Sequence, residues 1–243
     1  MIKFFRKIRQ RLLTENKFSK YLLYAIGEIA LVMIGILLAL QVNNWNESRK
    51  AAKRLDTYTK KLVNDIVSDT VNLNSLIDKG KKRQRGIEMY FEYFDSGNKS
   101  LDELIDSANQ VDLTLFRYLP IRYTFQDMQQ SGNTALLTES QRKALLELNN
   151  AQEFLTIIIE KAIADIKEEQ YKRNTYLDFD LSDSSFHEIT SWKENDNTKH
   201  QGLLHVHNVL TNYHNLVRWT EEQGISIGGK AKKCLELLNA NGS

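Results

Sequence analysis

Apolar and polar residues separate most sharply at the start of the chain, where Tyr21–Val42 holds one charged residue, Glu28, in 22 positions. As a helix rising about 1.5 Å per residue, this run measures ~33 Å, the depth of a bilayer core of roughly 30 Å. It predicts a single transmembrane helix over residues 21–42. A secretory signal fits less well, because the apolar part exceeds the usual core of roughly 7–15 residues and no small-x-small cleavage site follows Leu40. No Cys lies near its end to take a lipid.

Beyond Val42 the pattern changes. Leu55, Tyr58, Leu62, Ile66, Thr70, Leu73 and Ile77 recur at about 3.6 residues, the spacing of one helix face. No Gly or Pro interrupts residues 36–79, so a stalk helix over 43–95 continues the membrane helix, with Gly80 to Gly86 offering a break. The aromatic cluster Tyr90, Phe91, Tyr93 and Phe94 follows and reads as core. Ser100-x-x-Glu103 and Thr138-x-x-Gln141 each match a capping box, predicting a short helix to about Asn109 and a long one over 139–173. Along the long one, Leu145, Leu148, Leu155, Ile159, Ala162 and Ile166 form a seam in which Gln152 is the polar exception. Residues 174–202 read as a polar loop with a short helical piece. Leu203, Val206, Leu210, Tyr213 and Val217 give another seam, expected to stop at Gly224, with a last helix near 230–239. Only Val111-Asp-Leu-Thr-Leu115 alternates as a strand would.

With one Pro in 243 residues, the fold class is all-α: one N-terminal transmembrane helix, then an elongated helical bundle with a long stalk helix. The organisation is a basic tail over 1–20, the membrane helix over 21–42, the stalk over 43–95, and a bundle over 96–243 completed by packing on the stalk.

Charge refines this picture. Residues 1–54 carry 11 Lys and Arg against 3 Asp and Glu, leaving 22 against 28 for residues 55–243. The large domain is mildly acidic, so a nucleic-acid partner is not expected. Seven basic residues precede the membrane run and six follow it by Lys61. Long domains cross largely regardless of charge, whereas a short basic tail with Lys17 and Lys20 against the helix resists crossing. The N-terminus is therefore placed in the cytoplasm. Within the tail, Ile2, Phe5, Ile8 and Leu12 share a helical face that suits an anionic lipid surface. Trp45 is the interfacial anchor at the opposite headgroup layer.

The segments Met1-Ile-Lys-Phe-Phe-Arg-Lys-Ile-Arg9, Asn16-Lys-Phe-Ser-Lys-Tyr-Leu-Leu-Tyr-Ala-Ile-Gly-Glu28 and Ile34-Gly-Ile-Leu-Leu-Ala-Leu-Gln-Val-Asn-Asn-Trp-Asn-Glu47 resemble the opening of a large family of single-pass membrane proteins of unknown function from flavobacteria and other Bacteroidota. Tyr123-Thr-Phe-Gln-Asp-Met-Gln-Gln-Ser-Gly-Asn133 is similar to a segment of the same family's second half. The resemblance implies an inner-membrane protein facing the periplasm and supplies no catalytic residue.

Motifs that could carry chemistry are weak. Gly224-Ile-Ser-Ile-Gly-Gly-Lys230 has the spacing of a phosphate loop, but Ala231 stands where Ser or Thr would bind magnesium, and a helix rather than a strand precedes it. His200, His205, His207 and His214 crowd together, yet three of them are seven apart, too far for two ligands on one helix. A metal would need Glu160 or Asp165 from another helix; otherwise His207 and His214 flank the seam with exposed tips. Asp178, Asp180 and Asp183 lack the Gly and full carboxylate set of a calcium loop. The lone cysteine, Cys234, is expected to be buried.

No catalytic, cofactor or metal residue is nominated, and no enzymatic activity is expected. Membrane-helix contacts are expected at Glu28 and at Gly35-x-x-x-Ala39, whose small side chains let helices approach closely. The function expected is a protein-interaction or assembly module on the periplasmic side, its partners being membrane lipids and an envelope protein or a second copy. The alternative is a small-molecule sensor or accessory subunit acting through a membrane partner.

Overall fold

A computed structural model describes residues 18–177 and 196–240. It is all-α, with no strand among the described residues. In chain order the helices are α1 (Phe18–Asp95), α2 (Leu101–Asn109), α3 (Tyr123–Gln130), α4 (Glu139–Tyr176) and α5 (Asp196–Asn239), with a short 3-10 turn at Asn133–Leu136. The chain divides into two units, residues 1–57 and 58–243, and α1 runs through the division.

In the first unit the apolar window of α1 is long and apolar enough to cross a membrane, and none of it is buried against the rest of the protein. Leu23, Leu31, Leu37 and Val42 are all exposed. This is what a helix whose solvent is lipid should look like, since apolar side chains facing water on every side would cost free energy with nothing to offset it.

In the second unit α1 buries one stripe only: Leu62, Ile66, Asp69, Leu73, Gly80, Ile87 and Tyr90. The intervals of three, four and seven keep these positions on one face of the helix. The stripe passes through Asp69, at 2 % exposure, rather than the neighbouring Thr70. Facing it, α4 contributes Leu148, Leu155, Ile159 and Ile166, and α5 contributes Leu210, Tyr213, Leu216 and Ile227. Both expected capping boxes form: Ser100 Oγ accepts from Glu103 N at 3.2 Å, and Thr138 Oγ1 accepts from Gln141 N at 3.2 Å. Each satisfies a backbone donor that the helix itself leaves open.

Two expectations fail. Gly80 and Gly86 do not break α1, and Gly224 does not stop α5, which is one helix through Gly228, Gly229 and Lys230. The reason at Gly80 and Gly224 is close approach. A Cβ on Gly80 would sit 3.2 Å from Val217, and one on Gly224 would sit 2.5 Å from Ile77. A glycine inside a helix costs about 1 kcal/mol relative to alanine, a cost that helix contact at these two points offsets. Val111–Leu115, the segment that alternates as a strand would, forms none. It has no regular secondary structure, and its inward positions slip by one residue, from Val111, Leu113 and Leu115, partly buried, to Phe116 and Tyr118, buried. Among the described residues no strand lies beside it; Thr114 N donates to Asp112 and the Thr114 carbonyl accepts from Tyr213 Oη.

Candidate functional site

The strap between α2 and α3 is held by carboxylates on α1. Asp69 lies a whole turn from Asp65 and two turns from Leu62, so its side chain enters the bundle with the apolar stripe. There it accepts three hydrogen bonds: from Tyr118 Oη at 2.7 Å, from Ile121 N at 2.8 Å and from Gln152 Nε2 at 2.7 Å. Asp65 accepts from Thr124 N at 2.9 Å, at the start of α3. Two turns earlier, Tyr58 Oη donates to Asp127 at 3.0 Å and accepts from Asn133 Nδ2 at 3.0 Å. Arg122 reaches across to Asn149 and Glu153 of α4. Burial first, and then the Asp69 charge, push the Tyr118 phenol well above its ordinary range, so it remains a donor. A buried carboxylate is tolerable only when its oxygens are fully engaged, and here three donors engage them. The arrangement joins α1, the strap and α4 into one piece. Its chemistry is that of a structural latch.

The histidines separate. His200 Nδ1 donates to the Asp196 carbonyl at 2.7 Å. His205 Nδ1 donates to Glu169 at 2.8 Å and stacks on Tyr176 at 5.6 Å between centroids. Asn208 donates to the same Glu169 oxygen, and Lys172 to the other. His205 first among these holds the Glu169 carboxyl low, at about 2. The His205 partner on the neighbouring helix is thus Glu169, rather than Glu160 or Asp165, the two carboxylates a metal would have needed. His207 is not an exposed tip: it packs edge-on against Phe94 at 4.3 Å, Phe91 at 5.4 Å and Tyr90 at 5.5 Å. Its Nε2 is buried with no hydrogen-bond partner, as is the Tyr90 hydroxyl. Burial lowers the His207 pKa, partly opposed by Asp95, and pushes Tyr90 up to about 12. His214 lies in a cleft of about 340 Å³ with Glu88, Phe91, Glu92, Asp95 and Thr211. Among the described residues no three His, Cys, Asp or Glu side chains gather as metal ligands. Asp178, Asp180 and Asp183 lie outside the described residues.

Cys234 is buried at 1 % exposure, and burial raises its thiol to about 11. In the apolar stretch of α1, Gly35 and Ala39 are exposed on the helix, and a Cβ on Gly27 or Gly35 would meet nothing within 4 Å. Glu28 is half-exposed there, and Trp45 follows at 66 % exposure.

A second cleft, of about 580 Å³, opens between α1 and the end of α2. Its lining includes Lys82, Arg83, Gly86, Met89, Tyr93 and Asp112. Arg83 Nε donates to Asp112 at 2.9 Å, and Asp112 also accepts from Thr114 N and Thr114 Oγ1. The Thr114 bonds first, then Arg83, hold the Asp112 carboxyl at about 2.

These features define an all-α protein with one helix fit to cross a membrane and a helical bundle locked by a buried carboxylate. Residues 28–195 match the model of a family of unknown function, DUF6090, and the chain belongs to that family. The matched span contains Glu28, Gly35, Ala39, Trp45, the Asp69 network and Glu169, and ends before His205 and His207. No curated protein and no solved structure matches the chain.

Proposed function

We propose that this is a non-enzymatic, single-span protein of the bacterial inner membrane. The basic tail is cytoplasmic, and the helical domain is an interaction or assembly module on the periplasmic side, bound to another envelope protein or to a second copy. The observation that carries the reading is the apolar window of α1, none of which is buried by the protein. Supporting it, the outer face of α4 carries Leu146, Phe154 and Ile157, exposed at 40–57 % on the side away from the bundle core. Apolar side chains gathered on one outer face favour a protein partner. Within the membrane, Gly35 and Ala39 allow close helix contact, and Glu28 gives a partner helix a carboxyl to bond.

The test is cross-linking and co-purification of the full chain from native membranes. The reading predicts one recurring partner, or a second copy, captured in stoichiometric amount; a chain recovered alone and monomeric at native abundance contradicts it. A second reading, an accessory subunit that senses a small molecule and signals through a membrane partner, draws support from the 580 Å³ cleft beside Tyr93.

A further inference from the structure

We infer that the cleft between α1 and the end of α2 binds a small organic anion with a flat apolar body, such as an aryl carboxylate. This gives the second reading its ligand class. The volume, about 580 Å³, lies in the range of small-molecule sites.

The lining divides into an apolar part and a charged part. Met89, at 68 % exposure, and Val111 offer adaptable apolar contact, and the Tyr93 ring adds a flat surface. One face of Tyr93 already carries Lys99, whose Nζ sits 4.6 Å from the ring centroid. Ser107 and Gln110 supply neutral hydrogen-bonding groups. Arg83 is neutralised by Asp112, and the same carboxylate anchors the strap backbone at Thr114, so this wall is held in place without a ligand. Lys82 is different. It lines the cleft and takes part in no ion pair among the described residues, which leaves a net positive charge facing a partly apolar cavity. The group that completes it is an anion attached to something apolar.

Gly86 supports the same conclusion. Gly80, Gly202 and Gly224 are each demanded by a close neighbour, but a Cβ on Gly86 would meet only Val111, at 3.9 Å. Packing does not require glycine there. What its missing side chain does is leave the α1 side of the cleft clear.

The chain provides its own reporter, since it has 4 methionines and one of them, Met89, lines the cleft, while Met128 is fully buried elsewhere. Full-length protein in neutral-lipid nanodiscs, labelled at the methionine methyls, is titrated with 4-hydroxyphenylacetate. The same titration is run with 4-methylphenol, which keeps the ring and lacks the carboxylate, and with acetate, which lacks the ring. The expected result is a saturable shift of Met89 with Met128 unmoved, and a Kd of about 1 mM or tighter, an affinity within reach of a few contacts. Both control compounds should bind at least about tenfold more weakly, since each lacks one half of the recognition. Lys82→Ala should weaken binding of the carboxylate without changing 4-methylphenol. Gly86→Leu, which favours the helix and fills the cleft, should abolish the Met89 shift. An unmoved Met89, equal binding of all three compounds, or unaltered binding in Gly86→Leu overturns the inference. None of these outcomes bears on partner co-purification, so the two proposals fail separately.

Discussion

Two carboxylates on the same helix live under different rules. Asp69 sits where α1 packs against α4 and the strap, at 2 % exposure, and three donors of its own chain hold it. Glu28 sits 41 residues earlier, where apolar neighbours such as Leu23, Ile29 and Leu31 face outward. The first acidic residue is a component of the fold. The second stands among exposed apolar side chains, and in the proposed membrane setting an acidic residue there costs about 2.5–3.5 kcal/mol to insert. One helix therefore carries a carboxylate among buried apolar neighbours and another among exposed ones, and only the first is held by the bundle core.

The largest expected effect breaks the Asp69 side of that contrast. Asp69→Ala leaves Tyr118 Oη, Ile121 N and Gln152 Nε2 without their acceptor and is expected to cost about 3 kcal/mol, read as a lower midpoint in chemical denaturation of the full chain. If Asp69→Ala is as stable as the parent, the network is not the latch described. Next in size is Gly202→Ala, whose Cβ would come 2.2 Å from Leu177 Cγ. Overpacking of about 1–3 kcal/mol outweighs the roughly 1 kcal/mol of helix propensity gained, whereas Gly229→Ala, with nothing within 4 Å, should stabilise.

Acid sharpens the comparison among buried polar groups. His207 has a lowered folded pKa, so the unfolded chain takes up the proton first, and stability falls as pH drops through about 6.5. His207→Phe should remove that part of the pH dependence and leave the parent's losses between about pH 4.3 and 2, where Glu169, with its depressed pKa, is protonated. A parent whose melting temperature is flat between pH 7 and 5 would show that His207 is solvated. The smallest effect on stability belongs to Glu28→Leu. It should insert more favourably by about 3 kcal/mol, leave the bundle's denaturation unchanged, and lose a co-purifying partner. A partner retained by Glu28→Leu makes the carboxylate incidental.

The apolar run and the two capping boxes were legible because each depends on local sequence alone. Asp69 was not, because an acidic residue reads as the outer face. Its place shows only when intervals are counted from Leu62 through Ile66 to Leu73, which puts position 69 rather than Thr70 on the buried stripe. Gly80 and Gly224 misled for a related reason: their helix partners, Val217 and Ile77, are distant in sequence, so contact glycines looked like breakers. The histidines were read from spacing alone, which placed His207 at an exposed tip, whereas it packs against Tyr90, Phe91 and Phe94. Pairing with Glu169 rather than Glu160 or Asp165 depends on the register between α4 and α5, which no single segment encodes.

Everything proposed for the helical domain depends on α1 crossing the membrane with the bundle on the far side. The direct measurement is a single-cysteine labelling scan of the full chain in cells, with Cys234 replaced by Ala and a membrane-impermeant thiol reagent admitted to the periplasm. The account predicts that cysteines at positions 48 to 50 label, that those at positions 27 to 39 do not, and that one at position 14 labels only after the inner membrane is opened. Labelling at position 14 with protection at 48 to 50, or labelling throughout, would contradict it.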